Sequence, residues 1–241
     1  MPRFPQIWLA SLLALSACGP RIVSEEAVSG GDPLASPADP QAAVREAARG
    51  YADALAARDG SAAALWVAPE TFDLYEDLRT AALTATPAEL EARDLLTTIM
   101  VLELRARMNP AALAELDGRR LFEQAIDAGF VSEDLGELDL DEVWIDESGT
   151  RAEIRQDGQA VLLLRAAADP PAAAEATGGD APAWRVDLPG LIERVTPDFD
   201  ALARERIDAQ GRLETALRFV EFRLGESVDR AILDTPIDPA G

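Results

Sequence analysis

The spacing of apolar residues changes close to residue 138 of this chain, and a helical pattern returns after residue 188. Before that point, apolar residues such as Val44, Ala48, Tyr51 and Leu55 recur every three or four positions, which is the period of one helix face. Between residues 138 and 188, apolar residues alternate with polar ones, which is the period of a strand with one buried face. This order of patterns restricts the chain to an α+β fold in which helices precede the sheet.

Four runs in the second region have the alternation of strands, at residues 140–145, 151–156, 160–166 and 184–188. Asp157-Gly158 is typical of a two-residue hairpin between the second and third runs. Glu147-Ser148-Gly149 is typical of a turn between the first and second runs. The apolar parity is shared by Val143, Ile145, Ala152, Ile154, Trp184, Val186 and Leu188. The charged parity is shared by Glu142, Arg151, Glu153, Arg155, Arg185 and Asp187. We therefore expect an antiparallel sheet of three to four strands, with several N-terminal helices packed on its apolar face.

Local signals predict where the N-terminal helices begin and end. Asp39-Pro40 is an N-cap acid followed by proline, and it predicts a helix that ends at Gly60. Thr86-Pro87-Ala88-Glu89 has the capping-box pattern and predicts a second long helix that runs to about Met108.

The region after the strands predicts a C-terminal pair of helices. Thr196-Pro197-Asp198 indicates the start of the first helix, and Gly211 indicates the break between the two. The segment 169–183 is rich in proline, alanine and glycine and predicts a loop. Residues 40–241 are thus predicted to form a single α+β domain.

The N-terminus has the three parts of a secretory signal peptide: the basic Arg3, an apolar run from Ile7 to Leu15, and the small pair Ser16-Ala17. The run is shorter than the roughly 18 residues that a permanent membrane span needs. Residues 1–17 are therefore predicted to be cleaved. Residues 18–39 show no apolar period and are rich in glycine, serine, proline and aspartate, which predicts a disordered tether.

Leu15-Ser16-Ala17-Cys18 resembles the lipobox of bacterial lipoproteins, and Cys18 is the single cysteine of the chain. The resemblance implies that the Cys18 sulfur is acylated and anchors the mature chain to a membrane. Gly19 replaces the aspartate associated with inner-membrane retention, so the outer membrane, facing the periplasm, is the implied location. The alternative is an ordinary signal peptide with a chance cysteine at its end.

Composition restricts the chemistry that the mature protein can perform. The chain has 44 acidic and 22 basic residues, a net charge of -22, so the basic footprint of a nucleic-acid-binding protein is absent. It has no histidine, and all of its basic residues are arginine, which excludes imidazole-based triads and lysine Schiff bases. Carboxylates remain as candidate bases. No catalytic residue, metal site or cofactor is predicted, and a non-enzymatic role is favoured.

Ala183-Trp184-Arg185-Val186-Asp187-Leu188 resembles the last strand of nuclear transport factor 2-like domains, the α+β cone also found in ketosteroid isomerases. The stretch 74–146 is similar to uncharacterised bacterial members of that group. The resemblance implies a curved sheet that encloses a conical pocket for a ligand, for isomerase chemistry or for protein contacts. Tyr51, Trp66 and Trp184 are the candidate pocket-lining residues, and core packing is the alternative for the tryptophans.

Together these features predict a membrane-anchored periplasmic lipoprotein with a non-catalytic binding or scaffold role. The candidate partners are the membrane, through the lipid anchor, and an envelope protein or a small apolar ligand. The alternative is a carboxylate-based isomerase or hydrolase that uses the conical pocket.

Overall fold

The structure is a computed structural model that describes residues 39–130, 140, 142–156, 158–167 and 183–234. The predicted signal peptide, the lipobox, the tether up to residue 38 and all but the last residue of the 169–183 loop lie outside these residues. Seven described helices precede the sheet: α1 (Pro40–Ala56), α2 (Gly60–Trp66), α3 (Glu70–Thr84), α4 (Pro87–Glu91), α5 (Leu95–Arg107), α6 (Pro110–Ala114) and α7 (Gly118–Asp127). The strands are β1 (Val143–Ile145), β2 (Arg151–Gln156), β3 (Gln159–Ala166) and β4 (Trp184–Val186). Three described helices follow: α8 (Leu188–Gln210), α9 (Arg212–Leu224) and α10 (Ala231–Asp234).

The four strands form one antiparallel sheet in the order β1-β2-β3-β4, which confirms the α+β fold with helices packed on a sheet. Gln156 pairs with Gln159, so the connection between β2 and β3 has the predicted length of two residues, and its second residue, Gly158, has a φ of 75°. Gly149 has a φ of 68° in the turn between β1 and β2. Both turns need the left-handed conformation that glycine adopts without strain.

The predicted parity separates the two faces of the sheet. Ala152, Ile154, Trp184 and Val186 are each no more than 6% exposed and belong to one cluster of buried apolar residues that also draws on the helices. Arg151 and Glu142, on the other parity, are exposed. The prediction is wrong for Leu188, because this residue already belongs to α8.

Two predicted helix starts are confirmed by their caps. The Asp39 carboxylate accepts a hydrogen bond from the backbone N–H of Gln41 at 3.0 Å, and Pro40 is the first residue of α1. Thr86 and Glu89 form a reciprocal capping box at the start of α4. Each cap occupies backbone donors that lack a partner inside the helix.

Three helix boundaries differ from the predictions. The helix predicted from Thr86 to Met108 is divided into α4 and α5, because Asp94 caps a new helix by accepting from the N–H of Thr97. Gly60 does not end α1 but begins α2, where its Cα hydrogen atoms face the backbone of Glu123. The C-terminal pair begins at Leu188, capped by Asp187, so that Pro197 lies inside α8; the predicted break at Gly211 is confirmed.

A buried arginine joins three helices. Arg105 on α5 is 5% exposed and donates hydrogen bonds to the carbonyl oxygens of Ala81, Ala82 and Ala85 at the end of α3, and to that of Ile232 in α10. Burial lowers the pKa of Arg105, but an arginine side chain remains protonated. Its guanidinium thus satisfies the last carbonyl groups of α3.

None of the helices in the described part of the chain is long and apolar enough to span a membrane.

Candidate functional site

Three arginines lie side by side on the charged face of the sheet. Arg151 on β2 is directly opposite Arg165 on β3, and Arg165 is directly opposite Arg185 on β4. We call Arg151, Arg165 and Arg185 the arginine row. Residues directly opposite each other in antiparallel strands have Cβ atoms about 5 Å apart, and like charges in these positions destabilise a sheet. The row therefore concentrates positive charge in a strongly acidic protein.

The middle member of the row is held by two carboxylates. Arg165 donates from Nη2 to Asp187 at 2.8 Å and from Nη1 to Glu70 at 2.6 Å. The hydrogen bond to Asp187 is the main reason that the pKa of Arg165 is raised. Arg165 is therefore fixed in one orientation, with the carboxylates on either side of its guanidinium.

Arg185, the member of the row on β4, has no carboxylate partner. The residue is 9% exposed, and its guanidinium makes no hydrogen bond or salt bridge to any part of the described chain. Its Nε atom is enclosed without a partner, whereas its two Nη atoms are not enclosed. Burial lowers the pKa of Arg185, and the nearby Glu70 carboxylate acts in the opposite direction. A desolvated guanidinium that lacks hydrogen bonds destabilises a fold unless something else binds it.

Two helices begin beside the row. Residues 67–68 run along the edge of β4, where the N–H of Ala68 donates to the carbonyl oxygen of Val186, and α3 starts two residues later at Glu70. On the other side, α8 starts directly after β4, and Asp187 caps it by accepting from the N–H of Gly190 at 3.0 Å. Helix N-termini carry a partial positive charge. Both helices therefore add to the positive potential of the row.

A second buried charge cluster lies between α5 and α9. Glu103 is 6% exposed, with carboxylate oxygens 3.0 Å from Nη2 of Arg107 and 2.9 Å from Nη1 of Arg223. Burial raises the pKa of Glu103, and the two arginines lower it by less. Arg107 also stacks on the ring of Phe130, and Arg223 donates to the Phe130 carbonyl oxygen. Each carboxylate oxygen thus lies at ion-pair distance from one arginine, although Oε1 makes no hydrogen bond, and such an arrangement is typical of a structural ion-pair network.

The three candidate pocket residues lie in different surroundings. Tyr51 on α1 is 1% exposed and Trp184 on β4 is 6% exposed, and both belong to the buried apolar cluster. Trp66 is partly buried against α1, where its indole lies over the backbone of Gly50. A surface depression of about 350 Å³ is lined by residues of α3 and α4 and their flanks, and none of these three residues contributes to it. The role of Tyr51, Trp66 and Trp184 in a conical pocket stays a prediction.

Sequence reasoning placed Arg185 on the charged face but did not identify it as a site residue. Part of the signal was present, because Arg151 and Arg185 were both assigned to the charged face and Arg165 lies in the predicted strand between them. The sequence pattern could not predict the strand register that places the three arginines opposite one another, nor the burial of Arg185.

The row can bind an anion, because a guanidinium offers paired N–H donors in the geometry of a carboxylate or phosphate group. Among the described residues, no group of three or more acidic, histidine or cysteine side chains is arranged to hold a metal ion. Comparisons of this chain with protein-family models, with curated proteins and with solved structures found no match.

Proposed function

We propose that this chain is a lipid-anchored protein of the cell envelope whose folded domain acts by binding rather than by catalysis. The binding role rests on one observation: Arg185 is a buried residue whose guanidinium has an enclosed Nε and no hydrogen-bond partner among the described residues, and it lies beside a second arginine on the charged face of the sheet. Retaining such a group costs stability, so a ligand that uses it offers a physical reason for its presence.

The anchor is supported by the sequence alone. Cys18 stands at the end of an apolar run and follows Leu15-Ser16-Ala17, as in a lipobox. Acylation by several chains gives stable membrane attachment, whereas a single chain binds only marginally. The proposed location is the outer membrane, with the domain in the periplasm.

The enzymatic alternative has weaker support. Glu103 is a buried carboxyl group with a raised pKa, a property often found in catalytic acids, but both of its oxygens face arginines. Tyr51 and Tyr75 also have pKa values raised by burial, to about 12 in Tyr75, so both phenols stay protonated at neutral pH. A carboxylate-based isomerase or hydrolase remains a prediction without a site.

The anchor is tested by a Cys18→Ser variant expressed in the native cell, with Ser24→Ala in the predicted tether as the control. We expect the parent chain and the control to yield a mature mass that equals residues 18–241 plus acyl chains, and to fractionate with the outer membrane. The Cys18→Ser chain should lack the acyl mass and leave the membrane fraction. Unchanged mass and fractionation in Cys18→Ser would refute the anchor.

A further inference from the structure

We propose that the arginine row is a binding site for a monovalent carboxylate, which pairs with the guanidinium of Arg185. This inference deepens the proposed binding role and rests on it, since it names the chemical class of the ligand. It does not depend on the lipid anchor.

The first argument is the state of Arg185. Its Nε is enclosed and without a partner, while its Nη atoms are open at the end of the same planar fork. A carboxylate that binds bidentately to a guanidinium uses two neighbouring N–H groups at once. A ligand that reaches Arg185 from its open end therefore replaces water that makes weaker hydrogen bonds, and neutralises a charge that the fold leaves unpaired.

The second argument is the orientation of the neighbouring groups. Arg165 is already fixed by Asp187 and Glu70, and Asp187 is itself fixed by the N–H of Gly190 at the start of α8. These contacts hold the wall of the site in place before any ligand arrives. A preorganised site loses less conformational entropy on binding, which strengthens the binding of a small ligand.

The third argument is the balance of charge, which decides the valence of the ligand. The three arginines of the row and the two carboxylates that contact Arg165, Glu70 and Asp187, together retain one positive charge, while Glu153 on the same face is paired separately with Arg155 and Arg194. A carboxylate, with a single negative charge, neutralises this excess. A phosphate close to two negative charges would leave the site negative inside a protein whose net charge is already -22.

The competing explanation is that Glu70 serves as an internal partner of Arg185. Its carboxylate lies close enough to influence the pKa of Arg185, but its hydrogen bond is to Arg165, and its side chain is 51% exposed. Glu70 therefore competes with a ligand for the positive charge of the row, and its removal should strengthen ligand binding. Weaker acetate binding after removal of Glu70 would contradict the argument from charge balance.

The test is a titration of the full chain, purified in detergent and in chloride-free buffer, with sodium acetate as the probe. The Nε–H resonance of Arg185, assigned by its loss in Arg185→Met, should shift and saturate at acetate concentrations on the order of millimolar, as one charge-assisted bidentate contact allows. Arg218→Met is the matched control, because it removes an exposed arginine from α9 with the same change of side chain. It should bind acetate like the parent chain.

Stability provides a readout that separates a ligand-binding arginine from a structural one. Arg185→Met should abolish acetate binding and raise Tm by about 2–4 °C, because an apolar side chain of similar length replaces a desolvated charge. Glu70→Gln should tighten acetate binding by roughly threefold to fivefold. A clear fall in Tm for Arg185→Met without any acetate effect on the parent chain would assign Arg185 a purely structural role.

Two other outcomes also contradict the proposal. Equal acetate binding by the parent chain and Arg185→Met would place the anion elsewhere, and tighter binding of inorganic phosphate than of acetate would overturn the argument from charge balance. The proposed anchor is judged separately, since a Cys18→Ser chain that leaves the membrane but still binds acetate would refute the anchor and retain the carboxylate site. An acylated, membrane-bound chain that does not bind acetate would refute the carboxylate site and retain the anchor.

Discussion

The guanidinium of Arg105 donates a hydrogen bond of 2.6 Å to the carbonyl oxygen of Ala85, the residue that follows the last turn of α3. The same side chain also bonds to Ala81, Ala82 and Ile232, so one buried cation holds the ends of α3 and α10 on α5. Arg105 and Arg185 are both buried, but only the first has its donors occupied.

Replacing Arg105 with methionine should therefore destabilise the protein. The variant leaves the carbonyl groups of Ala82 and Ala85 without the donor that Arg105 supplies, whereas Ala81 still accepts from the N–H of Ala85, and we expect the free energy of unfolding to fall by about 3 kcal/mol. Urea unfolding followed by circular dichroism measures this change. Arg218→Met, at an exposed position, should change stability by less than about 0.5 kcal/mol. A loss of similar size in both variants would contradict the capping role of Arg105.

Alanine at Gly60 should be poorly tolerated, although alanine is normally the better helix residue. A Cβ atom at this position would lie 2.1 Å from the carbonyl oxygen of Glu123, so α2 and α7 would have to separate. We expect Gly60→Ala to lower the unfolding free energy by roughly 2 kcal/mol or more.

Gly149→Ala serves as the comparison for this variant. Nothing lies within 4 Å of a Cβ atom at Gly149, but its φ of 68° disfavours other residues, so the cost should be about 1 kcal/mol. Thermal unfolding of both variants measures which substitution lowers the stability more. A Gly60→Ala chain as stable as the parent would mean that the helices have room to adjust.

The capping box at the start of α4 should contribute measurably to stability. The Thr86 side chain accepts from the N–H of Glu89 at 3.3 Å, and the Glu89 carboxylate accepts from the N–H of Thr86 at 2.8 Å. Thr86→Ala should cost about 1 kcal/mol. Thr84→Ala is the control, since its hydroxyl donates only to the carbonyl oxygen of Thr80 within α3, and its effect should be smaller. Chemical denaturation of the two variants under the same conditions distinguishes them.

Two glutamates should give stability changes of opposite sign as the pH falls. Burial raises the pKa of Glu103, so the folded state holds this proton more tightly than the unfolded state does. Relative to Glu103→Gln, the parent chain should therefore gain stability between neutral pH and about pH 5. The Arg79 hydrogen bond lowers the pKa of Glu76, so relative to Glu76→Gln the parent chain should lose stability below about pH 4.

Urea midpoints of the parent chain and both variants, measured across this pH range, provide the test. As the pH falls, the stability of the parent chain relative to Glu103→Gln should rise, and its stability relative to Glu76→Gln should fall. Parallel changes would show that the burial of Glu103 is not what governs its protonation.

The parts of the fold that the sequence predicted are those set by neighbouring residues. The caps at Asp39 and Thr86 depend on side chains within three positions of the backbone groups that they satisfy, and the hairpin between β2 and β3 depends on the glycine at residue 158. The alternation of residues 151–154 and 184–186 set the buried face of the sheet correctly, because a strand period of two requires no knowledge of distant contacts.

The errors arose where one residue serves two elements. Asp187 continues the alternation of β4 and was assigned to the strand, but its carboxylate caps α8 and pairs with Arg165, so the helix begins one residue later. Asp94 divides the helix predicted from residue 86, and Asp200 on α8 reinforces the division by accepting from the N–H of Leu95. That contact joins residues more than 100 positions apart, which local periodicity cannot anticipate.

The candidate site depended even more on distant contacts. The sequence identified the charged face, but the surroundings of Arg185 depend on segments that are distant in the sequence, such as residues 67–68, which pair with β4 at Val186. Tyr51 and Trp184 were selected as aromatic residues near a predicted pocket, and both are core residues in the structure.

Hydrogen bonds to carbonyl groups at both edges of the sheet bear on whether identical copies of this chain can pair through their strands. At the β4 edge, the N–H of Ala68 donates a hydrogen bond to the carbonyl oxygen of Val186. At the β1 edge, the side chains of Gln41 and Arg45 on α1 donate to the carbonyl oxygens of Val143 and Leu140, respectively. Exposed strand edges are the usual starting points for polymerisation between identical chains. Because these carbonyl groups are already engaged, a strand of a neighbouring copy finds fewer free acceptors at either edge, and the net charge of -22 adds repulsion between copies.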